Sequence, residues 1–127
     1  MTPASMERTF ALAGALAAFV AVALGAFGAH ALEARVEPRD LEIWRTAVRY
    51  QMWHALALLG IAALHARWPG GGTVVAGWSF VAGIVIFSGS LYLLVGSGAR
   101  WLGAITPIGG VAFLVGWAAL IRRLFAA

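Results

Sequence analysis

At 127 residues the chain has room for one domain, and 62% of it is hydrophobic against 11% charged. A soluble domain of that size could not hide so much apolar surface from water, whereas a bilayer accepts it. The absence of cysteine excludes disulfides, iron–sulfur clusters and thiol catalysis. The basic residues are all arginine, and their modest excess over five acids suits anionic lipid headgroups rather than a nucleic acid.

Residues 9–31 read as a first span, with no charge between Arg8 and Glu33. Gly14, Ala18, Ala21, Gly25 and Gly28 or Ala29 fall near one helical face, and small residues at that spacing let helix backbones approach closely in lipid. Arg8 and the Ala29-His30-Ala31 triplet also fit a cleavable leader. The apolar run of about 20 residues exceeds the roughly 7–15 of a leader's core, which favours a span.

Glu33 to Arg49 is the one charged connection. It sets Glu33, Glu37, Asp40 and Glu42 against Arg35, Arg39, Arg45 and Arg49. Pro38 suits the first turn of a helix, and Asp40 and Glu42 suit its positive end. Leu41, Trp44 and Val48 repeat at helical spacing, which predicts an amphipathic segment at the membrane interface. Glu42 can pair with Arg45 and Thr46 along one side.

The second span is predicted over residues 47–66. An unbroken helix from Pro38 to Ala66 would be about 43 Å long against a hydrocarbon core of about 30 Å, so its first turns must project, tilt or bend. His65, Arg67 and Trp68 read as far-interface residues, and Pro69 to Gly72 as a tight turn. The third span covers 73–95 and ends in the polar group Ser88, Ser90 and Tyr92. Arg100 and Trp101 anchor the start of the fourth span, 101–121, which Arg122 and Arg123 close. Pro107 leaves two geometries open there. Either a helix starts early and kinks at Pro107, or it starts late with Thr106 as cap and Pro107 in its first turn.

These spans predict an all-α fold: a single transmembrane domain over 1–127, built as an integral membrane four-helix antiparallel bundle with the amphipathic segment before the second span. Arginines divide four against five between the two sides, so orientation is undecided. The end of span one, the start of span two, the end of span three and the start of span four then meet on one face. His30, Arg45, Arg49, Tyr50, Gln51, His54, Ser88, Ser90, Tyr92, Arg100 and Thr106 collect there.

From this group His30, Arg49, His54 and Thr106 are the candidate ligand-binding residues. An ionisable side chain inside a span is a functional candidate by default, though the favoured reading of His54 is a neutral histidine hydrogen-bonding across helices. Arg49 and His54 stand about 140° apart on the helix, which makes Arg49 the weakest member. No catalytic constellation is present, because all five acids lie outside the spans. His30 and His54, without cysteine or a membrane carboxylate, form a poor metal or haem pair, so no cofactor is assigned.

Four blocks carry a wider resemblance. They are Leu24 to Leu32 (LGAFGAHAL), Arg49 to Ala57 (RYQMWHALA), Phe87 to Tyr92 (FSGSLY) and Arg100 to Gly110 (RWLGAITPIGG). In this order they resemble the YgdD/YwdK-like family of small multi-pass membrane proteins, a domain of unknown function with eukaryotic relatives named transmembrane protein 256. The resemblance extends from about Arg8 to Trp117. It implies a four-helix integral protein of the bacterial plasma membrane, and no activity.

Two roles follow as expectations. One is a structural or accessory subunit, packing against itself or a larger membrane complex. The other is binding or transport of a lipid headgroup, quinone or small anion at a polar pocket on one membrane face.

Overall fold

In the computed structural model, which describes residues 2–127, the chain is helical almost throughout and those residues form no strand. Helix α1 runs Pro3–Leu32, α2 Pro38–Arg67, α3 Gly71–Ser97 and α4 Arg100–Phe125. The Thr2 side chain caps α1 by accepting the Ser5 N–H at 3.2 Å, and Pro3 fills a position where no N–H is needed. Pro38 opens α2 in the same way, with Asp40 in its first turn. Gly98 closes α3 at φ 74°, a left-handed conformation that glycine adopts without strain, and its N–H bonds to the Leu94 carbonyl at 2.8 Å.

At Pro107 the late start prevails. A 3₁₀ turn over Arg100–Ala104 precedes the α-helix Thr106–Phe125. The capping residue is Ile105, not Thr106, the cap that the late-start alternative offered. The Thr106 hydroxyl faces the Leu102 carbonyl and the Ser90 hydroxyl instead, so it is not free to cap.

Helix α1 packs along α2, α4 packs along α3, and contact between α2 and α3 joins the two pairs. The small-residue face of α1 meets α2. A Cβ on Gly14 would stand 2.7 Å from the Ala55 carbonyl oxygen, and one on Gly28 would stand 2.7 Å from the Trp44 ring. Helix α3 widens into a π turn over Ile84–Ser88, and there Gly109 lets α4 press close: a Cβ on it would lie 2.7 Å from the Phe87 Cα. Phe10, Leu58, Ile61, Phe80, Phe113 and Leu120 fill one core, and Trp44, Leu94 and Val95 a second.

Helices α1, α3 and α4 are each long and apolar enough to cross a membrane. Helix α2 is not among them, and its composition explains why. It carries Gln51, His54 and His65, and all three are buried against the other helices rather than offered to the surroundings. It is nonetheless one continuous α-helix of 30 residues, about 45 Å long. His65, near the C-terminal end of α2, is 3% exposed, and its Nδ1 lies 2.6 Å from the Thr73 hydroxyl. That hydroxyl in turn donates to the Gly70 carbonyl at 3.0 Å, tying the turn between α2 and α3.

Gly14→Leu should lower the thermal midpoint in detergent well below wild type, since overpacking against backbone costs about 1–3 kcal/mol or more. Gly60→Leu should leave it nearly unchanged, because nothing lies within 4 Å of a Cβ there. Equal midpoints for the two variants would show that α1 does not depend on this close approach.

Candidate functional site

The polar residues gathered by the sequence do meet, but as pairs. Trp44 donates its indole N–H to the Leu24 carbonyl at 2.8 Å, joining α2 to α1. Gln51 donates to the Ala17 carbonyl at 2.8 Å and accepts from the Tyr92 hydroxyl at 2.7 Å, so one side chain links α1, α2 and α3. Ser88 donates to the Ala47 carbonyl at 2.7 Å, and Ser90 meets Thr106 at 2.6 Å. Arg100 grips Asp40 with two nitrogens, at 2.8 and 3.1 Å, tying the first turn of α2 to the start of α4. Among the described residues no buried side-chain nitrogen or oxygen lacks a hydrogen-bond partner.

The four candidate ligand residues do not line one pocket. His30 is exposed in the π turn that ends α1. Arg49 is also exposed. It pairs with Glu42 at 3.1 Å and borders a groove of about 200 Å³ with Arg45, Trp44, Val48, Gly25, Gly28 and Ala29. Thr106 is buried against Ser90. His54 lines a different groove, between α2, α3 and α4, whose lining includes none of the other three. Helical geometry is the reason: the large angle between Arg49 and His54 sends them to opposite sides of α2.

The surroundings of His54 fix its state. The Trp117 indole N–H can only donate, and it reaches Nε2 at 3.0 Å, so that nitrogen carries the lone pair. The proton therefore sits on Nδ1, which donates to the Tyr50 carbonyl at 2.8 Å. The ring stacks on Phe113 with centroids 3.6 Å apart and meets the edge of Phe80 at 5.2 Å. Both nitrogens and one face of His54 are thus occupied within the chain. The groove beside it has a volume of about 470 Å³. Tyr50, Phe87, Phe113, Trp117, Pro107, Gly110, Val111 and Leu114 complete its lining. Among the described residues no three His, Asp or Glu side chains come together to hold a metal ion.

Two partners escaped the sequence reading. Trp117 looks like any apolar residue of the fourth span, although its spacing from Phe113 places both rings on one helical face. Asp40 reads as a first-turn acid, and nothing local names Arg100, sixty residues away, as its partner. Glu42 does pair with Arg45, at 4.0 Å, but its closer partner is Arg49, and Thr46 bonds only to its backbone carbonyl.

A family profile described as "Protein of unknown function (DUF423)" matches residues 24–110. The UPF0382 membrane protein YwdK of Bacillus subtilis strain 168 is 49% identical over 115 residues, covering 90% of this chain and 94% of that protein. A UPF0382 membrane protein of Staphylococcus epidermidis strain ATCC 12228 is 46% identical over 120 residues, covering 90% and 93% respectively. No solved structure matches the chain.

His54→Leu strands the Trp117 N–H in an apolar setting and should destabilise the protein by about 1–3 kcal/mol. Adding Trp117→Phe removes the stranded donor. The double variant should therefore lose less than the sum of the single variants, and strict additivity in thermal or denaturant unfolding would disprove the bond.

The Asp40–Arg100 pair makes a separate prediction about pH. Hydrogen bonds from the guanidinium hold the Asp40 carboxyl below its ordinary value of 3.8. A carboxyl depressed in the folded state binds protons more readily when unfolded, so its stabilisation is full above that ordinary value and fades as pH falls through the folded-state value. The gap in thermal midpoint between wild type and Asp40→Asn should be constant near neutrality and close in acid. A gap that persists unchanged in strong acid would show that the charge is not the source.

Proposed function

This chain belongs to the DUF423 family, whose relatives are named membrane proteins, and from that premise we propose a compact packing or accessory subunit of a membrane assembly. In this reading the four helices span the bilayer as an antiparallel bundle. The spans fall near residues 9–31, 47–66, 73–95 and 101–121, with the start of α2 rising through the interface of the bacterial plasma membrane. The observation that carries the reading is how the chain distributes polarity. Its buried polar side chains are paired with one another or with its own backbone, while large apolar side chains crowd the outside.

Phe19 is 75% exposed, Leu114 70% and Val85 66%. Such an exterior suits lipid tails and the apolar helices of a neighbouring subunit equally well. Helix association in lipid is driven by close packing and interhelical hydrogen bonds, and a chain whose own hydrogen bonds are closed presents a rigid surface for packing. The partner in this proposal is a second copy of the chain or a larger membrane complex.

Native mass spectrometry of gently extracted protein tests the idea. The expected species is a multiple of the 13.3 kDa chain, or the chain held in a larger complex. A lone 13.3 kDa species throughout mild extraction, at every protein concentration, would overturn the accessory-subunit reading.

A further inference from the structure

The groove beside His54 is distinguished by its aromatic lining. Tyr50, Phe87 and Phe113 are packed ring against ring, with Tyr50–Phe87 centroids 4.4 Å apart. Trp117 closes one side, and the exposed side chains of Val111 and Leu114 form the lip, so the groove opens sideways through the outer face of α4. Its volume of about 470 Å³ lies within the range of sites for small molecules, about 300–1,000 Å³.

Among the described residues, no Asp, Glu or Arg side chain lines this groove. His54 and Trp117 spend their ring N–H and N groups on each other and on the Tyr50 carbonyl. Tyr50, a partly buried residue, is the exception: its hydroxyl makes no hydrogen bond to any described residue, and it can donate as well as accept. Because no buried side-chain oxygen among the described residues lacks a partner, this hydroxyl is open to the outside of the chain, where an external acceptor can reach it.

The geometry points to a binding site for an uncharged, planar, membrane-soluble carbonyl compound, with a quinone head as the representative of its class. Each part of that description has a counterpart on the groove. Sideways opening requires a ligand that arrives through the bilayer. The absence of charge excludes phosphate and carboxylate headgroups. An aromatic lining favours a planar conjugated ligand, since edge-to-face and offset contacts add to simple area burial. The free Tyr50 hydroxyl selects a carbonyl acceptor. This inference is independent of the accessory-subunit reading and stands or falls by itself.

Two glycines supply the test. Gly109 admits no side chain, but a Cβ on Gly110 would find nothing nearer than Phe87 Cδ2 at 3.9 Å. Gly110→Leu therefore fills the groove without forcing helices apart, and Tyr50→Phe removes only the hydroxyl.

Menadione is titrated into detergent-purified protein, read by tryptophan fluorescence and by thermal midpoint. The carbonyl-free 2-methylnaphthalene is titrated in parallel. Wild type should show saturable quenching and a rise in midpoint with menadione. Tyr50→Phe should weaken menadione about fivefold, as loss of one neutral hydrogen bond implies, and leave 2-methylnaphthalene unaffected. Gly110→Leu should abolish saturable binding of both, while Gly60→Leu behaves as wild type. Non-saturable quenching, equal binding to Gly110→Leu, or indifference of menadione to Tyr50→Phe would each overturn the proposal. So would a phospholipid that native mass spectrometry finds retained by wild type, lost in Gly110→Leu and not displaced by menadione, since an acyl chain would then be the occupant.

Discussion

A hydrogen-bonding group buried away from water must find its partner within the protein, and the arrangement of these helices follows from that constraint. In water an orphaned serine or glutamine is satisfied by solvent. Here Ser88 reaches the Ala47 carbonyl, Gln51 bridges Ala17 and Tyr92, and His54 sits between Tyr50 and Trp117. Each bond is modest in net energy, about 0.5–1.5 kcal/mol, but an unmade bond is unfavourable by more. The polar side chains therefore select one packing among the many that apolar surfaces would tolerate.

Helix α2 is where this selection is concentrated. It is the least apolar of the four helices, and it carries the groups that bind the others. Close approach makes those bonds reachable. Gly14 and Gly28 lower the surface of α1 until Trp44 and Gln51 of α2 touch its backbone. Gly109 and the π turn of α3 do the same for α4, and bring Ser90 against Thr106. Small residues and polar residues thus act together: the first set the distance, the second the register.

The same pairing shapes the functional reading. A closed internal network leaves little polar capacity inside the helices for a headgroup or ion, and the basic residues near Arg49 lie on the outside with Glu42 as a counter-charge. What remains open is apolar surface. Most of it is aliphatic, suited to lipid or to a neighbouring helix. The aromatic groove between α2, α3 and α4 is not, and Tyr50 brings into it a hydroxyl that the network does not use.

Composition and the spacing of apolar runs determined that this is an all-helical membrane protein, since both report directly on the solvent the chain tolerates. The helix start at Pro38 and the glycine-rich face of α1 were legible too, because capping and small-residue spacing are local, whereas Pro107 left an early kinked start and a late start open. Only the tertiary structure decided which polar groups meet. Sequence spacing placed His30, Arg49, His54 and Thr106 at one membrane level, but rotation about each helix axis separates them, and that rotation is set by contacts between helices. It gave His54 to Trp117, Asp40 to Arg100 and His65 to Thr73, pairs whose members no local pattern connects.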